Sequence, residues 1–419
     1  MAKIKKIIAH EILDSRAMPT IETIVLLDDS AVGVFSVPSG ASRGKYEAHE
    51  LRDSDPKRYQ GKGVLKNLQY IAQIFAPKLI GLDAANQREI DSKLISLDGT
   101  DNKSNLGANT ILSLSGAIAK AQAASRKIPL YQYIAELAGF DVHQFTLPTP
   151  MFNILNGGVH GGGNLDFQEF MVVMPKANSY STNLKIGVEI YYSLRESIVL
   201  HNASPVVGDE GGYAPVLYSN LDAFKILEEA ILKAGYNLGL DVFFSLDAAA
   251  SNLKRGSSYK IKDRPVALTP PDFIDFYVSL IDQYHLLSLE DPLAEDEWQD
   301  WKILTGKIGD ETIIVADDLT VTNLERLKKA VTEKACNAVV IKPNQVGTLT
   351  ETFEVVKEAK SAKFKIIVSH RSGETNDDFI ADFAVGVAAD YVKFGAPARG
   401  ERVAKYNRLL QIESELFPK

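Results

Sequence analysis

The chain has 419 residues, of which 45% are hydrophobic and 24% are charged, and its formal net charge is −8. Because single cores seldom grow beyond about 250–300 residues, a chain of this length is expected to form two domains. No uninterrupted apolar run reaches the about 18 residues that a membrane span requires, and neither sign of charge forms a long block. These properties exclude a membrane-spanning protein and argue against broad binding to nucleic acid or anionic lipid.

The cysteine content and the first residues indicate the cellular compartment in which the protein is expected to lie. Cys336 is the single cysteine, so no intrachain disulfide can form, which fits a reducing cytoplasm. The start, MAKIKKIIAHEILDSR, is basic, but Lys5, Lys6, His10 and Glu11 interrupt its apolar residues. A secretory signal is therefore not expected, and we predict a cytoplasmic protein.

The first third of the chain predicts a small α+β domain. Residues 1–60 alternate between apolar and polar positions, as in TIETIVLLDD and SAVGVFSVPSG, which is typical of antiparallel strands. From Gly63 to Gly139 the pattern becomes helical, and LGANTILSLSGAIAKAQAASRK is rich in Ala and Leu. The pattern changes again near LPTPMFNILNGG. We therefore predict two domains, at residues 1–140 and 141–419.

The sequence of the larger domain predicts a (β/α) barrel. Strand candidates alternate there with helical stretches such as LDAFKILEEAILKAG over about 280 residues, close to the about 250 expected of such a barrel. In chain order the strand candidates are MFNILN, QEFMVVMP, PVVGDE, VFFSLDAA, LLSLEDP, TIIVADD, AVVIKPN, KIIVSHRSG and YVKFGAP. The first two lie too close together for a helix between them. The barrel is therefore expected to depart from strict alternation at its start.

Polar side chains end most of the later strands. They are Asp247, Glu290, Asp317, Lys342, His370 with Arg371, and Lys393. Because the C-terminal ends of barrel strands share one face, these side chains are expected to converge. Three carboxylates brought together repel one another unless a cation lies between them, and oxygen ligands without a Cys/His cluster favour Mg²⁺. The alternative is that each acid only caps the next helix, which explains any one of them but explains three in successive units less well.

Three glycine-containing loops could bind or enclose a ligand. SHRSGE, residues 369–374, offers a guanidinium, a hydroxyl and open backbone N–H groups, which together can bind phosphate; the alternative is a loop with a surface arginine. PSGASRG, residues 38–44, could close over a ligand or form a hairpin turn. NGGVHGGGN, residues 156–164, places His160 either toward a ligand or in a mobile loop.

Lys342 is the candidate base. Near Lys393, Arg371 and a divalent ion its ammonium should lose a proton more easily than a free lysine, because like charges disfavour the protonated form. It could then remove the α-carbon proton of a substrate whose carboxylate binds metal and whose phosphate binds Arg371. Glu169 in QEF and Glu210 in GDEGG could supply the acid for a leaving hydroxyl. The alternative is a strand-end lysine that extends to solvent.

The chain resembles the enolase family along nearly its whole length. The blocks that carry the resemblance are, in order, DSR, PSGAS, GKGV, LISLDGT, NKSNLGAN, QEFM, GDEGGYAP, SLEDPLAEDEW, VADDLTVTN, NQVGTLTET, VSHRSGET and GAPARGER. The resemblance implies Mg²⁺-dependent, reversible dehydration of 2-phospho-D-glycerate to phosphoenolpyruvate in glycolysis and gluconeogenesis. It also implies a smaller N-terminal α+β domain followed by a modified (β/α)8 barrel that begins ββαα.

The resemblance further implies a metal site with two Mg²⁺ ions. Asp247, Glu290 and Asp317 would bind the first ion. Ser42 would help to bind the second ion, which arrives with substrate as the loop closes.

Catalytic and substrate-binding roles follow from the same resemblance. Lys342 would remove the C2 proton to give a metal-stabilised ene-diolate, and Glu210, supported by Glu169, would protonate the leaving C3 hydroxyl. Arg371 and Ser372 would hold the phosphate. The residues that would contact substrate are His160, Glu169, Glu290, Asp317, His370, Arg371, Ser372 and Lys393, the last of them through the carboxylate.

Several positions differ from the usual enolase pattern. Ala17 and Met18 stand where Gly-Asn is usual, Arg43 replaces a Thr, Asn252 stands where a Glu is common, and Pro343 directly follows Lys342. Family members are homodimers or larger assemblies, so a dimer or octamer is expected. Surface interactions of the plasminogen or RNA-processing type, known for some relatives, cannot be read from these residues.

Two other functions compete with this interpretation. One is an epimerase or cycloisomerase of the same superfamily that acts on an unphosphorylated carboxylate, which SHRSGET and the Glu169/Glu210 pair disfavour. The other is a catalytically idle binding protein, which intact Lys342, Glu210 and three metal acids disfavour.

Overall fold

The computed structural model describes residues 2–41 and 44–418. Its first unit is an antiparallel sheet with the strand order β1-β2-β3. The strands are β1 (Ile4–Leu13), β2 (Pro19–Leu27) and β3 (Val32–Ser36). From Ile21 onward every second side chain of the central strand β2 is buried, as expected of a sheet with one covered face.

Helices complete this unit. They are α1 (Leu65–Tyr70), α2 (Ala76–Leu79), α3 (Gln87–Asp98), α4 (Ala108–Arg126) and α5 (Leu130–Ala138), with a π-helical turn, Ile71–Phe75, between the first two. α4 packs on the sheet against β2 and β3. A β-carbon at Gly33 would stand 2.1 Å from the carbonyl oxygen of Ala117, so the close approach requires glycine. The predicted small α+β unit is confirmed, whereas the boundary at residues 140/141 stays a prediction.

The second unit is a closed barrel with the strand order β4-β5-β6-β9-β10-β11-β12-β13. Its strands are β4 (Thr149–Asn156), β5 (Glu169–Val173), β6 (Phe243–Asp247), β9 (Leu286–Glu290), β10 (Ile313–Ala316), β11 (Ala338–Ile341), β12 (Lys365–Ser369) and β13 (Tyr391–Lys393). Two short strands, β7 (Lys254–Arg255) and β8 (Ser258–Tyr259), form a separate ribbon. The parallel strands β10, β11 and β12 are rich in Val and Ile and are buried nearly throughout, as is typical of parallel barrel strands.

The helices of the second unit surround the barrel. They are α6 (Tyr180–Leu200), α7 (Asn220–Lys233), α8 (Pro270–Tyr284), α9 (Trp298–Ile308), α10 (Leu324–Glu333), α11 (Leu349–Ser361), α12 (Phe379–Gly386) and α13 (Gly400–Leu416). Ser or Thr side chains cap several of their first turns, as Thr348 does for α11. The element order β4-β5-α6-α7 confirms the predicted ββαα start of the barrel.

The register of the strands brings polar ends together. β5 is antiparallel to both of its neighbours, whereas the other strand pairs of the barrel are parallel. Glu169, the first residue of β5, therefore pairs with Asp247, the last residue of β6. Asp247 in turn pairs with Glu290, the last residue of β9. Three acids thus stand side by side on one rim.

The predicted strand PVVGDE is wrong. In this segment the structure has an isolated bridge between Val207 and Tyr213 instead of a ladder. Val206 and Val207 are 54% and 44% exposed, so the apolar pair faces outward and cannot fill a barrel wall. Glu210 is consequently carried by a loop.

A buried carboxylate joins the two units. Asp91 on α3 accepts hydrogen bonds from the backbone N–H and the hydroxyl of Thr350, at 3.0 and 2.6 Å, in the first turn of α11. Gln87 donates to its other oxygen at 3.0 Å. Burial nevertheless raises the pKa of Asp91 to about 6, because these hydrogen bonds only partly replace water.

The turn that precedes β2 contains a residue in a left-handed conformation. Ala17, at a position where glycine is usual, has a φ of 57°, a left-handed conformation that costs an L-residue about 1–2 kcal/mol. Asp14 closes this turn by accepting from the N–H groups of Arg16 and Met18 at 2.8 and 2.9 Å.

In the part of the chain that the structure describes, no helix is both long and apolar enough to cross a bilayer.

Candidate active site

A pocket at the C-terminal rim of the barrel collects most of the predicted site residues. Those that line it are His160, Glu169, Glu210, Asp247, Asp317, Lys342, His370, Arg371, Ser372 and Lys393. Glu290 contacts Lys393 without forming part of the pocket wall. Ser42 and Arg43 lie outside the described residues. The strand ends converge as expected. Each of the strands β6, β9, β10, β11, β12 and β13 places on this rim either its last residue or the residue that directly follows it.

Lys393 lies among three carboxylates. Its Nζ is 2.7 Å from Glu290 Oε1, 3.1 Å from Glu169 Oε2 and 3.3 Å from Asp247 Oδ2. All four side chains are almost completely buried. Burial alone would lower the pKa of Lys393, but the three acids outweigh burial and raise it well above its usual value. This ammonium therefore remains charged.

Lys342 contacts a single carboxylate. Its Nζ donates to Asp317 Oδ2, while Gln345 donates to the other oxygen of Asp317 at 3.0 Å. The lowered pKa expected for Lys342 beside a divalent ion stays a prediction. Burial does disfavour the ammonium, and so do Arg371 and Lys393, but the direct contact with Asp317 raises the pKa above its ordinary value.

His160 lies between two carboxylates, one on β5 and one on the loop that carries Glu210. His160 Nδ1 is 3.3 Å from Glu169 Oε1 and 3.4 Å from Glu210 Oε1. Burial would lower the pKa of His160, but Glu210 and Glu169 together raise it. Conversely, burial would raise the pKa of Glu210, but His160 and His370 lower it well below its usual value. These shifts favour a proton on His160 over one on Glu210. The role of Glu210 as the acid stays a prediction.

The phosphate-binding candidates are already engaged by protein groups. Arg371 donates from its two terminal nitrogens to both oxygens of Glu47, at 3.0 and 3.1 Å. Ser372 accepts a hydrogen bond from the backbone N–H of Ala41 at 2.6 Å. A backbone bridge between Ser39 and Gly373 holds the two loops together. The described part of PSGASRG thus contacts the SHRSGE loop.

Some pocket residues were not among the predicted site residues. Glu47 and Gln168 line the pocket, and so does Asp318. A rule based on strand ends could not find Glu47, because this residue comes from the first unit and reaches the pocket only through packing between the two units. Gln168 directly precedes Glu169 in QEF, so its proximity to a predicted acid was an available signal.

Asp291 holds the backbone beside the metal-binding candidate Asp317. Its two side-chain oxygens accept from the N–H groups of Asp317 and Asp318, at 3.0 and 2.9 Å. These contacts fix the strand end that presents Asp317 to the pocket. Asp291 therefore acts on the site through the backbone.

The donor set fits a hard divalent cation. Oxygen atoms of Asp291, Asp317 and Asp318 lie within 4.8 Å of one another. Burial, together with neighbouring acids, raises the pKa of Asp318 to about 8 and that of Glu290 well above its usual value, although Lys393 opposes this effect at Glu290. Oε2 of Glu290 is buried without a hydrogen-bond partner among the described residues. The carboxylates of the rim thus carry more negative charge than Lys342, Lys393 and Arg371 neutralise. A cation that binds oxygen ligands would balance this excess.

The predicted ligand trio is not arranged for one ion as it stands. Asp247 and Glu290 both face the ammonium of Lys393, whereas Asp317 faces that of Lys342. Lysine nitrogens therefore occupy the positions between these acids. A bound cation would have to share or replace those contacts.

Comparison with known protein families gives a match over most of the chain. Residues 4–134 match the family described as "Enolase, N-terminal domain", and residues 144–419 match "Enolase, C-terminal TIM barrel domain". The chain belongs to the enolase family. It is accordingly a lyase-type enzyme of the enolase superfamily, and its acidic rim fits the divalent metal that enolase chemistry requires. Membership of the enolase family also implies a small phosphorylated substrate.

Proposed function

We propose that this enzyme catalyses the Mg²⁺-dependent, reversible dehydration of 2-phospho-D-glycerate to phosphoenolpyruvate. The observation that carries the proposal is that one pocket combines Lys342, Arg371 and the Glu210–His160 pair. A lysine can accept an α-carbon proton, an arginine can bind phosphate through paired N–H groups, and a carboxylate–histidine pair can supply a proton. Dehydration of a phosphorylated hydroxy acid needs these three functions in one place.

Substrate binding would use the cations that line the pocket. Arg371 and Ser372 are the proposed phosphate ligands, and Lys393 is the proposed carboxylate ligand. Glu47 accepts hydrogen bonds from both terminal nitrogens of Arg371. A phosphate that bound the same nitrogens would have to displace or share Glu47, because two anions on one guanidinium repel each other.

In the first proposed step Lys342 Nζ accepts the C2 proton. The electron pair of the broken C–H bond moves into the carboxylate and produces an ene-diolate. Lys342 must be neutral to act, so its contact with Asp317 has to weaken first. When bound, two Mg²⁺ ions held by Asp247, Glu290 and Asp317, with Ser42 on the second, would supply the positive charge that stabilises the dianion and would compete with Lys342 for Asp317.

In the second proposed step the C3–O bond breaks. The ene-diolate electrons form the C2–C3 double bond, and the leaving hydroxyl takes a proton and departs as water. Glu210 faces the pocket and lies 3.4 Å from His160, whose pKa Glu210 and Glu169 raise. We propose that Glu210 delivers this proton after receiving it from His160, with Glu169 supporting His160 from the other side.

The decisive test is an absorbance assay for phosphoenolpyruvate formation. We expect activity with Mg²⁺, none with a chelator, and a loss of about 10²–10⁴-fold in Lys342→Ala, the range for removal of a general base. Lys302→Ala, at an exposed lysine of α9, is the matched control and should keep full activity. Activity that survives chelation or Lys342→Ala would refute the mechanism. Activity on D-glycerate equal to that on the phosphorylated substrate would favour the epimerase class.

We also propose a cytoplasmic homo-oligomer, a dimer or an octamer. Large apolar side chains such as Leu13, Tyr192 and Val206 are 54%, 64% and 54% exposed in the single chain. Exposed apolar side chains of this size are compatible with burial between subunits. Sedimentation velocity would measure the assembly, and a purely monomeric protein would contradict this proposal.

A further inference from the structure

Arg402 is a fully buried cation that lies behind the pocket. It belongs to the first turn of α13, and its exposed fraction is 0%. Nη1 donates to His370 Nδ1 at 2.8 Å and to the carbonyl of Arg371 at 2.6 Å. Nη2 donates to the carbonyls of Ser372 at 2.6 Å and Asp209 at 3.2 Å. One guanidinium thus holds both the SHRSGE loop and the loop that carries Glu210.

The contact with His370 determines the tautomer of that histidine. A guanidinium has only N–H donors and no acceptor. His370 Nδ1 must therefore accept, and the ring proton must be on Nε2. Nε2 is 3.3 Å from Glu210 Oε2 but is not aligned for a formed hydrogen bond with any described residue. The arginine thereby directs one N–H donor of His370 toward the pocket.

The same contact keeps His370 uncharged. Protonation of Nδ1 would place an N–H donor against the guanidinium at 2.8 Å. Burial and Arg402 together lower the pKa of His370, although Glu210 opposes them. His160 has two carboxylates beside it, and its pKa is raised. The pKa values of the two histidines that flank Glu210 are therefore shifted in opposite directions, and a difference between the two sites is the Arg402 contact.

We propose that Arg402 is a positioning residue that fixes His370 as the neutral Nε2–H tautomer facing Glu210. This inference rests on the proposed function where it concerns catalysis. In the dehydration step, His370 then offers a hydrogen bond to one side of the Glu210 carboxylate and cannot compete as a second acid. The proton for the leaving hydroxyl is thereby confined to the His160 side. Without Arg402 the imidazole could take either tautomer or rotate.

The tautomer can be measured without substrate. In protein labelled with ¹⁵N-histidine, the two ring nitrogens of a neutral imidazole give distinct signals for the protonated and the unprotonated atom. Seven histidines contribute, and the His370 signals are assigned by their loss in His370→Asn. We expect the wild-type protein to show protonated Nε2 and unprotonated Nδ1 at neutral pH. Protonated Nδ1 in the wild type would overturn the proposal, whether or not any variant folds.

Variants separate positioning from a purely structural role. In Arg402→Met and in the more conservative Arg402→Lys we expect the His370 signals to shift toward a mixture of tautomers. Lys405→Met is the matched control. Lys405 is buried in the same helix but donates to Thr375, Glu401 and Glu374, so its loss should leave the His370 signals unchanged. An unchanged tautomer in both Arg402 variants, or an equal change in Lys405→Met, would refute the assignment.

Kinetics of the two chemical steps provide the catalytic readout. We expect Arg402→Lys to slow phosphoenolpyruvate formation by about 10–100-fold, the scale of a misplaced catalytic group, while exchange of the C2 hydrogen with solvent changes less than about twofold. Equal loss of both would refute a role confined to the second step. If the wild type forms no phosphoenolpyruvate at all, the proposed function fails, and the tautomer measurement still decides the role of Arg402 in the site.

Discussion

Asp91 makes the stability of the two-unit structure depend on pH. Burial raises the pKa of its carboxyl from 3.8 to about 6, which corresponds to about 3 kcal/mol. Because the raised pKa means that the fold favours the neutral form, the stabilising contribution is complete below pH 3.8 and is lost as the pH rises through about 6. Between about pH 4.5 and pH 7.5 the loss should be about 2 kcal/mol.

Comparison with Asp91→Asn isolates this contribution. The amide keeps an acceptor for Thr350 but cannot ionise. The free energy of unfolding of the wild type minus that of Asp91→Asn should therefore fall by about 2 kcal/mol between about pH 4.5 and pH 7.5, as measured by urea unfolding followed by circular dichroism. Asp310→Asn, at an exposed position, should show no such slope. A difference that stays constant or rises with pH would refute the reasoning.

Three more predictions concern other buried groups. Lys393→Met should lower the free energy of unfolding by about 3–5 kcal/mol in chelator at neutral pH, because three buried acids lose their cation; a loss under about 1 kcal/mol in urea unfolding would contradict this. Glu210→Gln should stop phosphoenolpyruvate formation while solvent exchange of the C2 hydrogen continues; loss of both would place Glu210 in the first step. Burial raises the pKa of the Cys336 thiol, so a thiol-specific disulfide reagent should modify it only after unfolding; rapid reaction of the native protein would contradict its burial.

The barrel and its rim could be predicted from the sequence because strand-end positions are a local signal. A short apolar run followed by one polar residue recurs along the second unit, and barrel geometry then places Asp247, Glu290 and Lys393 together. A departure from strict alternation at the start was also readable, since the first two strands are too close for a helix, whereas the order ββαα came from the resemblance to the enolase family. The prediction of a strand at PVVGDE was wrong because the segment is as apolar as a strand. The sequence does not show that Val206 faces solvent.

Charge states could not be predicted, because they depend on which oxygen each lysine reaches. The sequence places Lys342 near other cations, which argues for a lowered pKa, but the structure puts Asp317 directly on its Nζ. Likewise, His160 and His370 lower the pKa of Glu210, and only the structure shows that both histidines lie beside it. Glu47 and Arg402 were missed for a related reason. Both reach the site from elements that no strand-end pattern marks, and only tertiary packing brings them there.

The reversed strand β5 places a hairpin connection over the pocket, because His160 in that connection lines it. Residues 157–168, including His160, connect two adjacent antiparallel strands, so this connection leads into no helix. The connection nevertheless packs on the outer layer, because Asp166 is hydrogen-bonded to Asn220 at the start of α7 and Phe167 lies against Phe276 and Tyr277 of α8. Changes that keep Asp166 and Phe167 in place would alter access to the chamber and leave the contacts with both helices intact.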